Sequence, residues 1–174
     1  MSGAKSALIL GATGAAGRHL LQELLASSAF NRIGEYGRRI TPEESILLGK
    51  DKLIQKKIDF ENLEDASLKE GNWDVIFITL GTSRRATPNP TTFQKIDREY
   101  VVNAARLAKQ ESIPQRIVYI SSINANPESN ILYSRSKGLT ELDLAGLGYN
   151  DVITFRAGTI TERGDGKLLE GIVS

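Results

Sequence analysis

Tyr133 and Lys137 stand four residues apart in Tyr-Ser-Arg-Ser-Lys, and Ser121-Ser122 closes an apolar run just upstream. On a helix that spacing turns a phenol and an ammonium to one face. Such a pair can hand a proton to a carbonyl oxygen or take one from an alcohol, because a neighbouring positive charge stabilises phenolate. A serine hydroxyl brought beside them would hold the substrate oxygen, with Ser122 the better placed and Ser121 the lesser candidate. Ser122, Tyr133 and Lys137 are therefore the candidate catalytic set. The spacing alone is weak, and its weight comes from context: the pair opens a predicted helix and the serines end a predicted strand.

A second motif lies near the N-terminus, Gly11-Ala12-Thr13-Gly14-Ala15-Ala16-Gly17. Placed between a buried strand and an amphipathic helix, it suits a dinucleotide pyrophosphate. Small residues admit the phosphates close to the backbone, and the helix start offers unpaired N–H groups. Gly11, Thr13, Gly14, Ala15, Ala16 and Gly17 are the expected contacts. About 20 residues on, an NAD site commonly places a carboxylate for the ribose hydroxyls. This chain has Tyr36-Gly37-Arg38-Arg39 there. Two guanidinium groups suit a 2′-phosphate, so Arg38 and Arg39 point to NADP(H). Asp59 either accepts from the adenine amino group or caps the helix start near Glu61–Leu63; both readings stand. Leu80, Gly81 and Thr82 would pass beneath the cofactor ribose, and Tyr133 and Lys137 would also touch the cofactor.

These groups need a scaffold, and the hydrophobic pattern supplies one. Short apolar runs at 6–10, 31–38, 53–59, 73–80, 116–121 and 151–156 alternate with helical patterns at 14–27, 63–69, 91–110 and 131–147. That alternation predicts a single α/β domain over 1–174, a three-layer doubly wound parallel sheet. The run 73–80 reads as the most deeply buried strand, and the lysines of 53–59 place that strand in a less protected position. Trp73 is expected to pack, His19 to pack or lie on the surface, and Arg84-Arg85 to be solvated loop charge.

Composition closes off other chemistries. The 174 residues hold no cysteine and one histidine, so thiol catalysis, disulfides and a thiolate- or imidazole-based metal site are not expected. A net charge of +1 gives no electrostatic case for nucleic acid. No apolar stretch approaches the roughly 20 residues of a spanning helix, and the N-terminus shows no basic amphipathic leader.

GATGAAG, LGTSRRA, KIDREYVVNAARLAKQ, YISS and YSRSK together resemble the short-chain dehydrogenase/reductase superfamily. More closely they resemble its atypical branch of Tat-interacting oxidoreductases and fungal mitochondrial outer-membrane (FMP-type) relatives, from about residue 7 to 164. The resemblance implies a Rossmann-type fold, NADP(H), the set Ser122, Tyr133 and Lys137, and an unidentified carbonyl or alcohol substrate. The protein is expected to be cytoplasmic, and the resemblance alone adds a place peripheral to the cytosolic face of the mitochondrial outer membrane. A homodimer or protein partners, and a weakly catalytic NADP(H)-binding regulatory module in place of an enzyme, remain open alternatives. Three departures stand out. Asp97 falls where many superfamily members carry a catalytic asparagine. Arg156-Ala157-Gly158 replaces the familiar Arg-Pro-Gly. Relatives of this kind continue tens of residues past Ser174, so the last strand and the substrate-side elements are expected to be missing.

Overall fold

The computed structural model describes residues 3–82 and 86–158. The strands are β1 (Lys5–Leu10), β2 (Phe30–Gly37), β3 (Leu53–Lys57), β4 (Val75–Ile78), β5 (Arg116–Ser122) and β6 (Asp151–Ala157). They form one sheet in the order β3-β2-β1-β4-β5-β6, every neighbouring pair parallel. The chain winds outward from β1 through β2 to β3, then returns to β4 on the other side of β1. This is the doubly wound order, and it opens a crevice beyond the carboxyl ends of β1 and β4.

Alternation along β1 explains why its sequence is continuously apolar. Ala7 and Ile9 join Leu21, Leu24 and Leu25 of α1 (Ala15–Ala26) on one face. Leu8 and Leu10 join Val101, Ala104, Ala105 and Ala108 of α3 (Tyr100–Ala108) on the other. A strand covered on both sides has no polar face to show. α4 (Leu132–Ala145) lies on the α3 side, where Leu144 enters the same cluster. β3 is an edge strand without a fully buried residue, as its lysines indicate. On β6, Val152 packs toward the α3-side cluster, so Ile153 and Phe155 lie on the opposite face, where they are exposed.

Two predicted helices differ in detail. The one read over 91–110 begins as α2 (Pro90–Gln94), where the Asn89 side chain accepts from Thr92 N–H at 2.8 Å and proline occupies the first turn. It then widens into a π-helical turn, Lys95–Glu99, before continuing as α3. The pattern at 63–69 condenses to a single 3-10 turn, Leu63–Ala66, ended by Ser67 in the left-handed region at φ 54°. β4 is shorter than its apolar run because Trp73 leaves the strand to fill the core. It is 1% exposed, sits edge-on to Tyr36 at 6.0 Å and donates Nε1–H to the Leu68 carbonyl at 3.1 Å. Arg84, Arg85 and the segment after Gly158, including the expected loss of a last strand, lie outside the described residues.

Trp73→Ala should cost about 3–5 kcal/mol, read as a lower urea midpoint with an unchanged slope. A cost below 1 kcal/mol would show that Trp73 does not hold the core together.

Candidate functional site

The expected site residues with described positions emerge at or just beyond the carboxyl ends of the strands, or on α4 after β5. The glycine turn leaves β1 at Gly11, which adopts φ +94°. Gly14 N–H returns to the Gly11 carbonyl at 3.0 Å, and Gly14 becomes the N-cap of α1 with no side chain capping the helix. A Cβ at Gly17 would lie 2.1 Å from the Gly11 carbonyl oxygen and 2.7 Å from Thr79 Oγ1. Only glycine therefore lets α1 start this close to the ends of β1 and β4. The resulting helix start presents backbone N–H groups with no side-chain acceptor, within a turn formed by Gly11, Thr13, Gly14, Ala15, Ala16 and Gly17.

Arg38 and Arg39 follow β2 directly and are both exposed. Across the rim, Phe60 stacks on Tyr100 at 5.3 Å, and Lys95 pairs with Glu61 at 2.6 Å. Tyr100 donates a short hydrogen bond to Glu61. Burial first, then this bond and the Glu61 charge, push the Tyr100 phenol up to about 12, while the Arg38 charge works the other way. Asp59 is exposed and its carboxylate accepts from Glu61 N–H at 2.9 Å. Asp59 does not cap the helical turn Leu63–Ala66, whose N-cap position is Asn62; its bond to Glu61 N–H closes the turn just before it.

The proton-transfer residues sit on β5 and α4. Lys137 is 4% exposed. Its Nζ lies 2.9 Å from Asp97 Oδ1 and donates to the Tyr119 hydroxyl at 3.0 Å. Asp97, fully buried in the π-helical turn, takes a second bond on Oδ2 from Ser136 Oγ at 3.0 Å. Oδ1 meets the ammonium as a charge, off the hydrogen-bond direction. Burial pulls the Lys137 pKa down, but the Tyr119 hydroxyl and the Asp97 carboxylate outweigh it and raise the value. The Tyr119 phenol is raised chiefly by burial, with Lys137 opposing. The Gly81 backbone passes over this pair: a Cβ there would lie 3.3 Å from Nζ.

Tyr133 is half-buried one turn before Lys137, its ring 6.1 Å from that of Phe93. Ser122 ends β5, is 7% exposed, and its Oγ accepts from Asn124 N–H at 3.4 Å. Ser121 donates instead to Glu141 at 2.5 Å, and Glu141 is also gripped by Arg156 at 2.7 Å. The loop after β5 is tied to α4 by Asn126 N–H on the Ser134 carbonyl at 2.9 Å. A Cβ at Gly138 would fall 2.3 Å from Pro127 N, so this approach needs the glycine that follows Lys137. Among the described residues no hydrogen bond joins Ser122, Tyr133 and Lys137 to one another.

Two partners of Lys137 escaped the sequence reading of the site. Asp97 was noted only as a departure, although a carboxylate in register with Val101, Ala104 and Ala108 on an apolar stripe already signals a buried charge seeking a cation. Tyr119, inward on a buried strand, likewise needs a partner for its hydroxyl. Among the described residues no group of acidic or imidazole side chains is arranged to hold a metal, and no helix is long and apolar enough to cross a membrane.

This turn, strand order and helix pair are those of a nucleotide-binding class, and the chain belongs to the NAD dependent epimerase/dehydratase family, matched over residues 7–138. The chain is 34% identical over 157 residues to Protein HTATIP2 of Rattus norvegicus, covering 90% of this chain and 63% of that protein. It is 32% identical over 155 residues to Protein FMP52-1, mitochondrial, of Scheffersomyces stipitis, covering 89% and 67%. The chain thus spans about two thirds of the length of these relatives. Among solved structures, the enzyme WbmH of Bordetella bronchiseptica in complex with NAD+ superposes with a TM-score of 0.70 at 19% identity, over 87% of this chain and 55% of that one. UDP-glucuronic acid 4-epimerase of Bacillus cereus in complex with NAD does so with 0.66 at 18%, over 88% and 56%. At those identities the likeness is one of fold.

Asp97→Ala leaves a buried ammonium without its counter-charge and should cost about 3–5 kcal/mol. Asp97→Leu combined with Lys137→Met should recover most of that loss in urea unfolding at neutral pH. Because the folded Lys137 pKa lies above its ordinary 10.5, the pair's contribution is full below that value. It declines as pH rises through the folded value. A double variant as unstable as the single would rule out charge pairing as the cause.

Proposed function

We propose that this protein is an NADP(H)-dependent oxidoreductase of the short-chain type, interconverting a carbonyl and an alcohol with Tyr133 as acid and base. The observation that carries the reading is the buried Lys137 ammonium, fixed by Asp97 and Tyr119 one helical turn from a half-buried phenol. The turn Gly11–Gly17 fits a dinucleotide: its helix start has no side-chain cap, and a Cβ at Gly14 would meet only the Gly11 carbonyl, at 3.3 Å. Arg38 and Arg39 fit a 2′-phosphate, and no acidic residue follows them until Glu43. Asp59, Leu80, Gly81 and Thr82 complete the adenine and ribose side.

When bound, NADPH supplies the hydride. Tyr133 gives its phenolic proton to the carbonyl oxygen, and Ser122 Oγ–H orients that oxygen. Of its three N–H groups Lys137 donates one to the Tyr119 hydroxyl while Asp97 answers its charge, and a remaining N–H steadies the phenolate or the cofactor ribose. In the alcohol direction the same proton returns to Tyr133. The substrate is a small carbonyl or alcohol. A mitochondrial location is supported by the Scheffersomyces relative, Protein FMP52-1, mitochondrial, and its cytosolic outer face is the place proposed.

A second reading, a weakly catalytic NADP(H)-binding module with a protein partner, is favoured by one feature. The Lys137 charge is spent on Asp97 and Tyr119, with no bond to Tyr133.

Calorimetric titration should give tighter binding of NADPH than NADH, and Arg38→Ala with Arg39→Ala should weaken NADPH by about a hundredfold, the worth of one or two charged hydrogen bonds. Binding of neither cofactor by folded protein would sink both readings. Tyr133→Phe should lower turnover by about 10²–10⁴ while leaving the NADPH dissociation constant unchanged. Tight NADPH binding with no turnover across a panel of carbonyls would select the module.

A further inference from the structure

We infer that Glu35 is a positioning residue for cofactor choice: its buried carboxylate clamps the loop bearing Arg38 and Arg39 and so sets the preference for the 2′-phosphorylated dinucleotide. This rests on the NADP(H) reading above. Glu35 is 1% exposed within β2, opposite Gln55 of β3 in the ladder. Oε1 accepts from Thr41 N–H at 2.8 Å and from Thr41 Oγ1 at 2.7 Å. Oε2 accepts from Gln55 Nε2 at 2.7 Å, and the same amide donates to the Thr41 carbonyl at 2.7 Å. The four bonds close a ring joining β2, β3 and the far end of the loop.

The near end is equally fixed. Gly37 pairs with Lys57 in the ladder and accepts from Ile58 N–H at 3.0 Å. Between the anchors lie Arg38, Arg39 and Ile40, folded back so tightly that a Cβ at Gly37 would be 2.9 Å from the Arg39 carbonyl oxygen. Both guanidinium groups are thus mounted on a short arc held at each end before any ligand arrives. Ordering a mobile arc at the moment of binding would subtract from affinity, and the clamp removes that penalty. Arg38 stands near enough to the rim for its charge to act on the Tyr100 phenol.

Glu35 also answers the charge question in a second way. It is the one acidic residue between Glu23 and Glu43. A carboxylate on this strand would ordinarily be the group to accept from ribose hydroxyls. Here it is turned inward and both its oxygens are engaged by Thr41 and Gln55. Burying a carboxylate beside the α1-side core is costly unless donors satisfy it. The donors it has found are Gln55 of the neighbouring strand and Thr41 at the end of the arginine loop.

Glu35→Gln keeps the shape but sets an amide N–H₂ against the Gln55 N–H₂, which breaks the ring. The expected result is about a tenfold weaker NADPH dissociation constant, NADH binding within about twofold, and faster hydrogen exchange of the amides at 38–41 in cofactor-free protein. An unchanged or tighter NADPH constant, or an equal loss for both cofactors, overturns the proposal. Thr41→Val removes one bond and keeps the carboxylate, so it serves if Glu35→Gln does not fold. It should weaken NADPH alone, by about threefold, and no change would overturn the proposal. Wild-type protein that binds NADH as well as NADPH would instead sink the underlying reading, before Glu35 is put to the test.

Discussion

A lysine ammonium in a protein interior costs several kcal/mol unless its charge and its N–H groups are answered, and much of the α3 side of this fold is arranged around answering Lys137. The carboxylate comes from Asp97, which reaches it from a π-helical turn inserted between α2 and α3. The extra residue per turn in a π segment shifts the side-chain register, and such segments concentrate at functional positions. Ser136, the residue before the lysine, orients the second oxygen of that carboxylate. Tyr119 closes the third side from the middle of the sheet, at 0% exposure. Gly81 leaves the fourth side to backbone alone. Strand, helix and loop are thus locked in relative position by one charge.

The other half of the site is organised by sterics. Gly11 and Gly17 bring α1 against the ends of β1 and β4, and Thr79 seals the contact by donating Oγ1–H to the Leu10 carbonyl at 3.1 Å. Here the backbone supplies the donors and side chains mainly stay out of the way. The two halves meet at the crevice where the strand order reverses. The α1 start, with no side-chain cap, lies on one side of β4, and the lysine pair lies on the other.

Periodicity made the scaffold legible. Leu8, Leu10, Ala7 and Ile9 had to serve two faces, so 6–10 had to be an interior strand; Lys56 and Lys57 could only belong at an edge. The glycine turn was equally readable, since a triplet between strand and helix has few other uses. What periodicity cannot convey is a contact between elements distant in sequence. The bond from Tyr119 to Lys137 spans 18 residues and that from Asp97 to Ser136 spans 39, and each depends on how α3 and α4 are seated on the sheet. The π-helical turn was hidden for a related reason. Its sequence, Lys-Ile-Asp-Arg-Glu, reads as ordinary helix, and the turn that widens there is the one that carries Asp97 to the cation. Glu35 was passed over because the strand around it reads as half-polar, and its partner Thr41 belongs to a loop with no periodicity at all.

The pairing of Lys137 also sets the terms on which the two functional readings differ. A lone ammonium beside Tyr133 would act on the phenol as a full charge. Paired with Asp97, it acts as a dipole, whose field falls off more steeply with distance, and orientation then matters more than proximity. Both members of the pair lie beside Gly81, where a Cβ would stand 3.3 Å from Lys137 Nζ and 3.5 Å from Asp97 Oδ1, while Ser136 holds the other carboxylate oxygen. The ion pair keeps the buried lysine charged with no ligand bound. Such a pair is satisfied without any ligand. The same economy suits an enzyme that must hold a proton donor ready and a module that must only recognise a dinucleotide. The half-buried phenol of Tyr133, one turn away on the same helix, would carry a proton in the first and only touch the dinucleotide in the second.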